Sequence, residues 1–148
     1  GSFLVVELMR QGYPPEQACK EAVMRIINKK KENTKNLQVG FLALNKKGEY
    51  GATLYSQKFG FYQIPALPVE NVVDPTGAGD SFAGGFFGTL ASRLRSGEHP
   101  DWTDLKQAAL AGTVLSSQTI QDFSMKALVK VDKHQFEQHL IQLKQMIS

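Results

Sequence analysis

The chain has 148 residues, 42% of them hydrophobic and 21% charged, a balance that predicts a folded globular domain and excludes a disordered chain. The net charge of +3 is mild, and the lysines at 29–31 and 46–47 have no aromatic residues between them, so we expect no nucleic-acid partner. No stretch approaches the ~18 apolar residues of a membrane span, so no membrane partner is expected. The single cysteine, Cys19, excludes an internal disulfide and fits a cytoplasmic location.

The N-terminal third predicts two helices. The apolar run at 3–10 is followed by Gly12, a residue typical of helix ends. Pro14 and Pro15 suit the first turn of a second helix, and Glu16 suits its positive dipole end. Apolar residues at helical spacing then follow: Ala18, Ala22, Ile26 and Ile27. Cys19 lies among them, which favours a buried structural cysteine over a nucleophile.

The middle of the chain predicts three or four short strands. Segments 39–44 and 52–55 flank a glycine-containing turn and predict a hairpin. Segment 59–64 predicts a third strand, and 69–73 is the candidate fourth. With the helices around them, these strands predict an α/β fold in which a small sheet is flanked by helices.

The C-terminal half predicts helices. The first covers 78–95 and is rich in glycine, which weakens helix propensity and is explained if a ligand or another backbone lies close. Thr103 is the predicted N-cap of a helix over 104–119, Ser124 the cap of a short turn, and Asp132 the cap of the last helix. His99, His134 and His139 have no metal-ligand spacing, so no metal site is expected in the protein itself.

The segment before the glycine-rich helix carries the strongest chemical signal. It reads Asp74-Pro75-Thr76-Gly77-Ala78-Gly79-Asp80-Ser81-Phe82. A loop of small residues at a helix start presents bare backbone N–H groups, and the helix dipole adds positive charge, so the segment predicts an anion site. Asp80 can take a proton from an attacking hydroxyl; the alternative is a first-turn aspartate that only stabilises the helix. Asp74 is expected to cap the turn, and Thr76 fits either a cap or a phosphate contact.

This motif, with its flanks at 64–73 and 83–91, resembles the C-terminal signature of the ribokinase/PfkB family of carbohydrate and nucleoside kinases. The resemblance implies a ribokinase-like fold, ATP with Mg²⁺, and a sugar or nucleoside as phosphoryl acceptor. It implies that Gly77, Ala78 and Gly79 hold the transferred phosphoryl group, with Thr76 as a candidate phosphate contact, and that Asp80 is the catalytic base. The candidate nucleotide-binding residues are drawn from two further segments, the turn near 47 and the helix near 112: Lys47, Gly48, Gly51, Gly112 and Ser116.

The first third resembles a different family. Segments 1–15, 18–23 and 38–52 are similar to the C-terminal part of the glycosylasparaginase β-subunit, an N-terminal-nucleophile hydrolase. Because the turn at 47–52 fits both families, we expect a join near residue 46, with 1–45 asparaginase-like, 46–148 kinase-like, and both in one compact unit. Hydrolase activity is not expected, since that chemistry needs an N-terminal threonine, and neither Gly1 nor Ser2 replaces it.

Three functions therefore stay open at this point. The first is the C-terminal ATP-binding and catalytic-base portion of a kinase, incomplete as it stands because the family's N-terminal half supplies the acceptor site. The second is a non-catalytic engineered chimeric scaffold, and the third is a glycosylasparaginase fragment. The start at Gly1 rather than methionine agrees with a fragment or a processed chain. An interrupted sheet would leave an open edge, so self-association is also expected.

Overall fold

The computed structural model describes residues 1–29, 38–45, 47 and 50–147. These residues fold as two compact units, Gly1–Ala66 and Leu67–Ser148. The α/β class predicted from the sequence is confirmed, with five α-helices and a three-stranded sheet in the described part of the chain. None of the helices in the described ranges is long and apolar enough to cross a bilayer.

The first unit places two helices on a small antiparallel sheet. The helices are α1 (Ser2–Arg10) and α2 (Pro15–Lys29), and the strands are β1 (Gln38–Leu44), β2 (Tyr50–Ser56) and β3 (Gly60–Pro65), in the order β1-β2-β3. The two helices and the hairpin were predicted from the sequence. A core of small residues joins the layers: Val5, Ala18, Cys19, Ala22 and Ala43.

The start of α2 lies against the middle of this sheet. A Cβ added to Gly51 would lie 2.7 Å from the backbone nitrogen of Glu16, so only glycine allows this approach. The carbonyl oxygen of Glu16 accepts hydrogen bonds from Thr53 Oγ1 and Gln63 Nε2, both at 3.4 Å. Burial raises the pKa of the Cys19 thiol to about 12, and its Sγ donates to the Gly51 carbonyl at 3.8 Å. Cys19 is therefore a neutral packing residue near pH 7.

The expected join near residue 46 lies between β1 and β2, inside the first unit. The two strands pair in register, with Phe41 opposite Thr53 and Ala43 opposite Gly51. The first unit thus contains the segment expected to be asparaginase-like together with the strands that follow it, up to residue 66. The position of the join stays a prediction, because the division into compact units does not show from which family each segment comes. Self-association through the sheet edges, which β1 and β3 form, also stays a prediction.

The second unit is built on two helices that cross closely. These are α3 (Ala78–Arg93) and α4 (Trp102–Thr119), followed by a 3-10 turn (Leu128–Lys130) and α5 (Lys133–Gln145). A Cβ on Gly85 would lie 2.9 Å from the Gly112 Cα, and one on Gly112 would lie 2.7 Å from the Phe82 carbonyl oxygen. The two glycines thus bring the backbones together. Asp132 caps α5 as predicted, through a reciprocal capping box with Gln135.

Three local predictions were wrong. Residues 69–73 form no strand; the Val73 N–H instead donates to the carbonyl of Ile120 at 2.8 Å. The N-cap of α4 is Asp101, whose side chain accepts from the Asp104 N–H at 2.8 Å, so Thr103 lies inside the helix. Ser124 caps nothing and has a φ of 58°, whereas the 3-10 turn begins after Ala127.

Candidate functional site

The predicted anion site lies at the N-terminus of α3. Gly77 is the N-cap, and its φ of 82° is one that glycine adopts without strain. The Ala78 N–H donates to the Pro75 carbonyl at 3.2 Å, and the Ser81 N–H donates to the Gly77 carbonyl at 2.9 Å. Among the described residues, the N–H groups of Gly79 and Asp80 have no acceptor. The positive end of the helix therefore presents two free donors beside a carboxylate.

A cavity of about 370 Å³ opens beside this helix start. Its lining includes Thr76, Gly77 and Asp80 from the predicted motif, and Asp80 is exposed to solvent. Neither Ala78, which is buried, nor Gly79, on which an added Cβ would meet no atom within 4 Å, is among the residues that line the cavity. The cavity also has lining residues that the sequence did not single out as a site: Ser81, Gly84, Gly85, Leu115, Thr119, Ser124, Met125 and Leu128.

Only some of these additional residues could have been predicted from the sequence. Ser81 follows Asp80 within the motif, so its position on the first helical turn could be predicted from the sequence. Thr119 lies 38 residues further along and contacts Ser81 only because α3 and α4 cross. Met125 and Leu128 belong to an irregular segment without periodicity. No local pattern connects them to the motif.

Asp74 organises the loop before α3, as predicted. Its Oδ1 accepts the Thr76 N–H at 2.9 Å, which closes an Asx turn. Hydrogen bonds from the Thr76 side chain and backbone, together with one from the Ser124 backbone, hold the pKa of the Asp74 carboxyl below its ordinary value. One carboxylate thus connects the loop before α3 with the loop after α4. The two loops contribute residues to the same cavity.

The contribution of the Asp74 carboxylate to stability should depend on pH. Because the pKa of Asp74 is lowered on folding, its stabilisation is complete above the ordinary value of 3.8 and is lost as the pH falls through the folded value. Asp74→Asn should therefore melt a few degrees below the parent at pH 7, and the difference should shrink as the pH is lowered below 3.8. Thermal melts between pH 7 and pH ~2 test this. A difference that stays constant with pH would contradict it.

The five candidate nucleotide-binding residues lie in different settings. Gly112 is at the helix crossing, and Ser116 is buried, with its hydroxyl donating to the Thr113 carbonyl at 3.0 Å. Neither lines the cavity. In the first unit, Gly51 contacts Glu16, while the backbone N–H of the exposed Lys47 donates to Asn45 Oδ1 at 2.9 Å. Gly48 lies outside the described residues. A nucleotide contact by any of the five stays a prediction.

The ionisable side chains of the described ranges form no cluster of three or more histidine, cysteine, aspartate or glutamate groups that could hold a metal ion. Asp80 and Asp74 are the acidic residues of the motif, and only Asp80 lines the cavity. A divalent ion at this site would therefore take most of its ligands from a bound molecule and from water.

Comparison with known families identifies the larger part of the chain. The profile of the pfkB family carbohydrate kinases matches residues 20–130, more than half of the sequence. The chain belongs to the pfkB carbohydrate kinase family. A segment covering 30% of the chain is 49% identical over 47 residues to a cytidine kinase from Thermococcus kodakarensis. The aminoimidazole riboside kinase of Salmonella enterica, solved with aminoimidazole riboside and an ATP analog, superimposes with a TM-score of 0.51 at 31% identity over 61% of the chain.

Part of the chain is also similar to a protein of a different family. Over 64 residues, 41% of the chain, the sequence is 59% identical to an N(4)-(β-N-acetylglucosaminyl)-L-asparaginase from Elizabethkingia miricola. The resemblance to two families within one sequence is thus confirmed. The chain spans only a part of each relative: 19% of the asparaginase, 16% of the cytidine kinase and 28% of the riboside kinase.

Proposed function

We propose that this chain is the nucleotide-binding portion of a pfkB-type kinase, which binds the phosphates of ATP at the start of α3 and transfers a phosphoryl group to a hydroxyl with Asp80 as general base. The observation that carries the proposal is the pair of free N–H groups at Gly79 and Asp80, beside an exposed carboxylate at a cavity wall. Free amides at a helix start favour an anion, and a carboxylate next to it can accept a proton.

The cavity has a volume that suits a small ligand. Its volume of about 370 Å³ falls in the range of small-molecule sites. Some lining residues carry polar side chains, whereas Leu115, Met125 and Leu128 are apolar; the polar ones are Thr76, Asp80, Ser81, Thr119 and Ser124. The proposal gives the phosphates to the polar residues and the base to the apolar ones. Mg²⁺ is expected to arrive with the nucleotide, since it retains several waters and needs only one or two carboxylates.

Each residue of the helix start has a separate role in this proposal. The N–H groups of Gly79 and Asp80 donate to phosphoryl oxygens, and the dipole of α3 favours the negative charge that is spread over them. Gly77 is the N-cap in a left-handed conformation and begins the helix that carries these groups. The Asp80 carboxylate accepts the proton of the attacking hydroxyl. ATP supplies the phosphoryl group, and positioning with charge stabilisation accounts for most of the catalysis in this class of reaction.

The acceptor is proposed to be a sugar or a nucleoside. A cytidine kinase and an aminoimidazole riboside kinase, the latter solved with its riboside, are similar to this chain and favour the nucleoside class. Because the chain spans less than a third of either kinase, we propose that acceptor binding needs residues of the remaining length. The chain alone should then bind nucleotide without efficient transfer, as positioning of the acceptor supplies much of the rate. A cytoplasmic location is part of the same proposal.

Asp80→Asn separates binding from chemistry. Calorimetric titration with Mg·ATP should give saturable binding by both the parent and the variant. The affinities should be similar, because asparagine leaves the backbone N–H groups at the start of α3 in place. Transfer of labelled γ-phosphate to a nucleoside or sugar should fall by about 10²- to 10⁴-fold in the variant. No binding by a parent chain that melts cooperatively would overturn the nucleotide site. Measurable transfer at equal rates by the two proteins would overturn the assignment of Asp80 as the base.

A non-catalytic engineered scaffold is the second candidate, favoured by the 59% identity to an asparaginase within a kinase-family chain. The expected join lies between two paired strands, where both families supply a compatible strand and turn. A scaffold would melt cooperatively and bind no nucleotide, so the same titration separates the two candidates. An asparaginase fragment would instead release aspartate from a glycosylasparagine substrate.

A further inference from the structure

Two hydroxyl groups meet at the wall of the α3 cavity. Thr119 is 1% exposed, and its Oγ1 donates to Ser81 Oγ across 2.7 Å. Both residues line the cavity. The Ser81 backbone is also fixed, since its N–H donates to the Gly77 carbonyl at 2.9 Å. A buried residue of α4 therefore holds one hydroxyl of α3 in place, directly after Asp80 in the sequence.

The pair has two proton arrangements. Thr119 Oγ1 also lies 3.1 Å from the carbonyl oxygen of Leu115, and its hydroxyl has one hydrogen to donate. When that hydrogen points to Leu115, Ser81 donates to Thr119. When it points to Ser81, the hydrogen of Ser81 is available to the cavity. Because an anion offers only acceptors, it selects the second arrangement; a ligand hydroxyl that donates to Ser81 is compatible with the first.

The surrounding charges decide between these ligands. The N-terminus of α3 contributes positive potential and the free N–H groups of Gly79 and Asp80. The Asp80 carboxylate lies on the same wall and opposes a bare anion, so the favoured ligand is a phosphate whose charge is neutralised by Mg²⁺. No basic side chain lines this cavity among the described residues. Neutral donors are therefore the groups available here for binding phosphate oxygens.

We propose that the Ser81 hydroxyl donates a hydrogen bond to a phosphate oxygen of the bound nucleotide, and that Thr119 is the positioning residue that orients it. This inference rests on the proposed function and extends its phosphate site by one side chain. Thr119 acts only through Ser81, because it is buried and its oxygen is already engaged by Ser81 and Leu115.

Calorimetry of four variants with Mg·ATP and with Mg·tripolyphosphate tests the pair. Ser81→Ala should weaken both ligands by roughly 10- to 100-fold while the melting temperature of the free protein stays close to that of the parent. Thr119→Val should weaken them less, and Thr119→Ser should restore the parental affinity because it keeps the hydroxyl. Ser92→Ala is the matched control, since Ser92 Oγ donates to the Thr89 carbonyl on the same helix and lies outside the cavity.

The outcomes separate this inference from the function on which it rests. If the parent binds neither ligand, both are overturned. If the parent binds both ligands and Ser81→Ala binds them equally well, only the role of Ser81 is overturned. An equal loss in Ser92→Ala would also overturn it, because the effect would then not come from the cavity. If Thr119→Val does not fold, Ser81→Ala still decides phosphate binding, and loss of affinity in a folded Thr119→Ser would overturn the role of Thr119.

Discussion

Replacing Gly79 with alanine should stabilise the second unit and at the same time weaken its binding of Mg·ATP. A Cβ at this position meets no atom within 4 Å, and alanine in a helix is favoured over glycine by up to about 1 kcal/mol. If a phosphate approaches the Gly79 N–H, the added methyl group obstructs it. Loss of a hydrogen bond to a charged group corresponds to a fall in affinity of roughly tenfold or more.

The opposite signs of the two effects make the experiment informative. Gly88→Ala is the matched control, because Gly88 lies on the same helix, is exposed and has equally open space around its Cα. It should raise the melting temperature similarly and leave nucleotide affinity unchanged. Thermal melts and calorimetric titrations of the two variants suffice. Parental affinity in Gly79→Ala would mean that no phosphate lies close to this residue.

Gly112→Ala should destabilise the second unit by about 1–3 kcal/mol, a cost typical of overpacking. The added Cβ would lie 2.7 Å from the Phe82 carbonyl oxygen and 2.9 Å from the Phe82 ring, and the backbone atom cannot rotate away. The helix-propensity gain of alanine offsets only part of this cost. Urea unfolding, read as the change in midpoint at constant slope, measures the effect.

This variant also decides the predicted nucleotide contact of Gly112. If glycine is required only for the crossing of α3 and α4, Gly85→Ala should be destabilising as well, since its Cβ would lie 2.9 Å from the Gly112 Cα. Gly88→Ala, on the open face of α3, should not be. A Gly112→Ala protein of parental stability but reduced ATP affinity would contradict the packing role and favour a contact with the ligand.

Some predictions from local pattern were confirmed and others, such as the Thr103 and Ser124 caps, were wrong, whereas the predicted fourth strand failed because it needed a distant partner. The hairpin of β1 and β2 follows from two strand-forming segments on either side of a glycine-containing turn sequence, and the Asp132 cap follows from one residue before an amphipathic helix. Residues 69–73 have the composition of a strand, but a strand also needs a neighbour to pair with. Here the Val73 N–H instead donates a hydrogen bond to the carbonyl of Ile120, which lies in another segment.

The sequence by itself determined the family motif, the helix that follows it and the turn that Asp74 closes, because each depends on residues within one or two turns of chain. Only the tertiary structure decided which side chains share a wall with that motif. The contact of Ser81 with Thr119 exists because Gly85 and Gly112 let two helices cross at backbone distance. This crossing requires glycine at two positions that are 27 residues apart in the sequence. No periodicity in the sequence predicts that these two positions are in contact.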